Sequence, residues 1–191
     1  MTVRAHKPEF NFREKITELS GPIPEHRMPG GTIVQQKFGF APESGGTENE
    51  TTSTTFIDAT HYYIDITPKF PDSSMFIEFW FNVKNNQMNA AYQYLRVVRK
   101  YPGQTGYMAN TSGEDATYFW GTASHSNHVS YQGVSIATLD SPTTTETIRY
   151  QVQQKSSTSS VTMRVGENAQ NNRMMGRITE IRKGAYMGDV N

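Results

Sequence analysis

Alternation of apolar and polar residues at every second position is the dominant pattern from about residue 60 onward. Tyr62, Ile64 and Ile66 fall on one side of the first such stretch, and His61, Tyr63 and Asp65 fall on the other. Because successive side chains of a strand point to opposite faces, this spacing predicts a half-buried strand. An unbroken apolar face in segment 75–83 predicts a core strand, formed by Met75, Ile77, Phe79, Phe81 and Val83.

Short strands separated by turn-forming residues recur along the rest of the chain. The pattern predicts them at 32–38, 92–100, 117–120, 134–139, 147–153, 161–165 and 177–181. No helical crossover that would build a parallel sheet lies between them. The expected fold is therefore all-β, an antiparallel β-sandwich or jelly roll. Segment 42–55, rich in Ser, Thr, Gly and Glu, is expected to be a long exposed loop.

The start of the chain has a different pattern. Asn11 and Glu14 have the spacing of a helix capping box, and one apolar stripe follows them, formed by Phe12, Ile16 and Leu19. Such a helix is too short to be stable alone, so its stripe packs either on another subunit or on its own sandwich. We expect a short N-terminal helical attachment segment with a Pro/Gly linker (1–30), a β-sandwich domain (31–183) and a C-terminal tail (184–191).

The second face of the predicted core strand is unusual because it carries two large aromatics. It consists of Phe76, Glu78, Trp80 and Asn82. One interpretation places Phe76 and Trp80 at a contact with a partner molecule. The other places them beneath a loop of the same chain, since protein surfaces commonly carry some apolar area.

Composition and charge narrow the classes of partner. Eighteen basic and eighteen acidic residues cancel, so the chain lacks the basic field expected of a protein that binds nucleic acid. There is no cysteine, which excludes disulfides and thiolate metal sites. Residues 1–10 are polar and contain no apolar core followed by a cleavage site, so we expect no secretory signal. We also expect no membrane insertion, because no apolar run approaches the roughly 18 residues of a transmembrane helix.

Catalytic motifs are missing from the sequence. It contains no phosphate-binding glycine pattern, and Gly133 to Ala137 lacks the second glycine of a nucleophile elbow. His125 and His128 have a conceivable metal-ligand spacing without further ligands. Several carboxylates are formally available for glycoside hydrolysis, namely Asp58, Asp65, Glu78, Glu114 and Asp115, but they are interpreted as solvated or turn residues. We expect no enzyme activity, no catalytic residues, no metal and no cofactor.

Residues in or near the loops are candidates for contact with a glycan, because sugars stack their apolar faces on flat rings. The candidates are Tyr107, Tyr118, Trp120, His125 and His128. The competing interpretation is that at least half of the aromatics fill the core, since aromatics are favoured in strands.

Four stretches together resemble a known family: PEFNFREKITEL, GGTIVQQKFGF, YYIDITPKFPDSSMFIEFWFNV and RITEI. They are similar to tail-fibre and related virion proteins of phages, particularly cyanophages. The resemblance implies a homotrimeric β-rich structural protein of the virion, assembled in the host cytoplasm, whose N-terminal segment docks onto other virion proteins and whose distal surface contacts host glycan. Because no long shaft separates the anchor from the β domain, a knob, capsid decoration or baseplate protein is the alternative. A carbohydrate-binding module or glycan depolymerase is a further one.

Overall fold

A computed structural model describes residues 30–40, 49–85, 91–101, 117–121, 130–166 and 175–183. Within these ranges the chain is all-β and contains no helix. The strands are β1 Ile33–Phe40, β2 Asn49–Thr51, β3 Ile57–Ile66, β4 Ser74–Asn85, β5 Ala91–Lys100, β6 Thr117–Gly121, β7 Ser130–Asp140, β8 Ile148–Ser156, β9 Met163–Val165 and β10 Met175–Ile181. The expected N-terminal helix lies outside the described residues.

Two antiparallel sheets are formed. The six-stranded sheet is built around β4, which pairs along one edge with β7 and along the other with β10 and then β9; β1 pairs with β10 and β2 with β9. The four-stranded sheet has the order β3, β8, β5, β6. The arrangement is consistent with a β-sandwich.

One hydrophobic core lies between the sheets and contains side chains from both of them. Met75, Ile77 and Phe79 of β4 are fully buried against residues of the four-stranded sheet such as Leu95 and Tyr150. The inward positions of β4 alternate with outward ones, because its side chains point to opposite faces in turn. The predicted apolar face of segment 75–83 is thus confirmed as core.

Every strand predicted from periodicity is found, with shifts of a few residues at its ends. The expectation of an uninterrupted exposed loop over 42–55 is wrong where β2 lies. These three residues pair with β9, and Thr51 is buried. A strand of three residues is too short to establish an alternating pattern, so only the pairing with β9 identifies it.

Glu180 is a buried carboxylate that fixes the connection between β3 and β4. It accepts hydrogen bonds from the backbone N–H groups of Lys69 (2.8 Å) and Phe70 (3.1 Å), and from Nε2 of Gln35 (2.6 Å). Because these donors come from β1 and from the turn that precedes β4, one side chain of β10 ties three segments together. The contact holds the start of β4 in place.

Candidate functional site

The outward-facing side of the six-stranded sheet carries apolar residues from four adjacent strands. Phe76 on β4 pairs with Leu139 on β7, and Trp80 on β4 pairs with Met175 on β10. Directly paired residues of antiparallel strands point to the same face. We call this surface the outer apolar face and define it by Ile33, Phe38, Phe76, Trp80, Leu139 and Met175.

The members of the outer apolar face are accessible to solvent. Phe76 is half-buried, and the five other side chains are between 38% and 57% exposed. Trp80 is the least exposed of these five, at 38%. With strands about 4.8 Å apart and roughly 3.4 Å per residue, the face spans roughly 14 by 20 Å.

An ion pair lies in the middle of the outer apolar face. Arg177 on β10 and Glu78 on β4 occupy paired positions, and Nε of Arg177 donates to Oε2 of Glu78 over 2.8 Å. The same guanidinium lies 5.8 Å from the centroid of the Trp80 ring. The two charges neutralise each other, so a partner meets a surface without net charge there.

The outer side of the four-stranded sheet is different, because its polar groups bond to one another. Asp58 accepts from Lys100 Nζ (2.6 Å) and from Gln153 Nε2 (3.0 Å), while Arg96 Nε donates to Gln153 Oε1 (2.8 Å). Cations also cover the aromatic rings there: Arg96 lies 4.0 Å from the Phe56 centroid, Lys155 lies 4.5 Å from Phe56 and 4.7 Å from Tyr94, and Arg149 lies 3.7 Å from Tyr63. Most polar and aromatic side chains of this face therefore have interaction partners within the face itself.

A buried ionic network joins the two sheets. Nη1 of Arg99 on β5 contacts both carboxylate oxygens of Asp140 on β7, at 3.0 and 2.8 Å, and the Tyr150 hydroxyl donates to Asp140 Oδ2 over 2.8 Å. Burial, then the neighbouring Asp140 carboxylate, raises the pKa of Tyr150, so the phenol stays protonated and donates. The gap lined by Ile77, Val97, Arg99, Thr138 and Tyr150 is too narrow for a water molecule. The network is therefore structural, although the sequence alone indicated only a turn at Asp140.

The carboxylates considered for glycoside hydrolysis each have a cationic partner where the structure describes them. Asp58 is bound by Lys100, Asp65 by Arg149 and Glu78 by Arg177. Asp58 and Glu78 lie on opposite outer faces of the protein, so they cannot flank one bond. The described residues also contain no group of three His, Asp or Glu side chains placed to hold a metal ion.

The predicted site residues are distributed unevenly. Phe76 and Trp80 belong to the outer apolar face, where sequence periodicity placed them. Tyr118 and Trp120 lie on β6, paired with Tyr94 and Tyr92. The remaining candidates lie outside the described residues: Phe12, Ile16, Leu19, Tyr107, His125 and His128.

Four further members of the outer apolar face were not identified as site residues from the sequence: Ile33, Phe38, Leu139 and Met175. They come from three different strands, β1, β7 and β10, and only the pairing register brings them together. The sequence feature that could have identified them is an apolar residue at an outward-facing position of a predicted strand.

Comparison with known proteins gives this chain no assigned family. No protein-family model matches the sequence, and no curated protein matches it at a significant level. No helix among the described residues is long and apolar enough to cross a membrane.

Proposed function

We propose that this protein is a non-enzymatic structural component of a phage virion, a tail-fibre or short-fibre-like subunit that assembles as a homotrimer and contacts other virion proteins. The alternative is a capsid decoration, knob or baseplate protein, which differs in its location on the particle. The phage identity rests on the family resemblance of the sequence. The assembly role rests on the outer apolar face.

The single observation that carries the assembly role is the contrast between the two outer faces. On the four-stranded sheet, ion pairs and cation–π contacts engage most side chains, and two large apolar or aromatic ones, Ile57 and Tyr63, are more than a third exposed. The six-stranded sheet leaves five large apolar side chains at least that exposed. Burying these side chains removes apolar area from water at about 25 cal/mol per Å², which favours their use as a contact surface. Closed association of identical copies protects such a face without exposing a new one.

Trp80→Glu tests the assembly role. A carboxylate on the face would have to be desolvated in the contact, so we expect the full-length variant to have one third of the wild-type mass by light scattering. His61→Glu is the control: His61 is exposed on the four-stranded sheet, and this variant should keep the wild-type mass. A monomeric wild-type protein, or a trimeric Trp80→Glu variant with unchanged stability, would contradict the proposal.

Glycan binding is a second candidate function, favoured by the register of β5 and β6. Trp120 pairs with Tyr92, and Tyr118 pairs with Tyr94. Four aromatic residues, two of them predicted contact residues, therefore occupy paired positions on these two strands. We expect Trp120→Ala to lower adsorption to host cells by about tenfold, from the loss of one stacked ring, while the trimer persists. Unchanged adsorption with an intact trimer would remove this candidate.

A further inference from the structure

We infer that the outer apolar face binds the N-terminal segment of a neighbouring copy, with the stripe of Phe12, Ile16 and Leu19 packed against it. The inference rests on the proposed assembly function and names the part of the partner that occupies the face. It assigns this segment to another copy of the chain rather than to a different virion protein.

The N-terminal segment joins the sheet beside this face. The chain turns at Gly31, whose φ of 82° suits glycine, and the N–H of Gly31 donates to the carbonyl of Arg182 just beyond β10. Two residues later Ile33, a member of the outer apolar face, pairs with Ile181. The described part of the chain therefore begins at one corner of the face.

The size of the face matches one short helix. The predicted helix, residues 11–19, would be roughly 13 Å long and about 10 Å across, against a face of roughly 14 by 20 Å. Its stripe presents one aromatic and two aliphatic side chains in a sequence that otherwise contains Arg13, Glu14, Lys15 and Glu18. The stripe requires an apolar surface to stabilise its helix, and the face offers an exposed apolar surface of similar dimensions. Packing one on the other removes both from water.

The area of the face argues against a contact made by two such faces alone. A face of roughly 300 Å² on each copy is well below the roughly 800 Å² per partner of a stable interface. A helix bound to the face of the next copy buries its own surface and that of the face, and its linker buries further area between the two copies. An exchanged segment therefore supplies the area that a flat contact between two faces lacks.

The linker directs the segment to a neighbour. Residues 20–29 include Pro22, Pro24 and Pro29, and a proline-rich stretch of ten residues extends to roughly 31 Å at about 3.1 Å per residue. The segment's own face ends roughly 20 Å from Ile33, so an extended linker carries the stripe past it. Each copy then gives a segment and receives one, a head-to-tail contact that closes into a ring of three.

Cross-linking between two different variants tests the inference, and the absence of cysteine makes introduced thiols unique. Full-length Ile16→Cys and Leu139→Cys are mixed under conditions of subunit exchange and treated with a short bis-maleimide. We expect a covalent dimer that contains one chain of each variant. A mixture of His61→Cys with Leu139→Cys is the control and should give no such dimer, because His61 lies on the other sheet.

A second measurement does not depend on the geometry of the cross-link. Ile16→Glu places a charge on the stripe and should reduce the mass to that of a monomer, whereas Thr17→Glu, the same charge off the stripe, should leave a trimer. If Trp80→Glu yields monomers while Ile16→Glu stays trimeric and the Ile16→Cys and Leu139→Cys variants do not cross-link, the assembly function stands and this inference fails. If the wild type is a monomer and a chain that carries both Ile16→Cys and Leu139→Cys cross-links within itself, both fail.

Discussion

Asp140→Asn is expected to lower the free energy of unfolding by about 3–5 kcal/mol, the largest effect of any single substitution predicted for this protein. The change keeps the size of the side chain but leaves the Arg99 guanidinium buried without a counter-charge. The side chains of the pair are only 8% and 2% exposed, so water cannot replace the lost partner. Urea denaturation with the midpoint and slope fitted together measures the loss.

The matched control for Asp140→Asn is Asp65→Asn. Asp65 pairs with Arg149 in a similar two-pronged contact, at 2.7 and 2.8 Å, but the two side chains are 41% and 38% exposed. Solvent screens that pair, so its loss should change stability by no more than about 1 kcal/mol. Equal effects of the two substitutions would mean that the Arg99–Asp140 pair is not shielded between the sheets.

Gly176→Ala is expected to destabilise the protein by about 1–3 kcal/mol, although it adds only one methyl group. A Cβ at this position would lie 2.7 Å from Cδ1 of Ile64 and 2.8 Å from the ring of Phe79. Both neighbours are in the core and Phe79 is fully buried, so relief requires a shift of packed side chains. Thermal and urea unfolding of the variant measure the effect.

Gly133→Ala separates this steric effect from the general consequence of replacing a glycine in a strand. It lies on β7 of the same sheet, is exposed, and its added Cβ would meet only Oδ1 of Asn82 at 3.6 Å, an ordinary contact. Stability should stay within about 0.5 kcal/mol of the wild type or rise slightly. A neutral Gly176→Ala variant would show that the sheets separate readily at this point, against the packing described above.

The candidate site was predictable in part. Outward positions 76 and 80 follow directly from the period of two in segment 75–83, so the sequence alone is enough to single out Phe76 and Trp80. Whether a loop covers them is not decided by that pattern, since coverage depends on segments distant in the sequence. Met175 and Leu139 show the same limit: they flank Trp80 and Phe76 only through a register set by pairing across about 95 and 63 residues, respectively.

Buried polar residues were the least predictable feature. Asp140 precedes Ser141 and Pro142, which is a good turn sequence, and nothing in that local pattern indicates a carboxylate enclosed between two sheets. Its partner Arg99 comes 41 residues earlier on a strand of the other sheet. Charged residues are seldom buried unless paired, and such a pair is identified only when the sheets are placed against each other.

The sequence by itself determined the class of the fold and the positions of the strands, because period-two patterns and turn residues are local and each strand of useful length carries its own signal. It also determined which side of β4 faces the core. Only the tertiary structure decided the strand order, the short strand β2, the buried pair between Arg99 and Asp140, and the collection of scattered apolar residues into one outer face. These features depend on which strands are neighbours and in what register, and long-range pairing leaves no local trace in the chain.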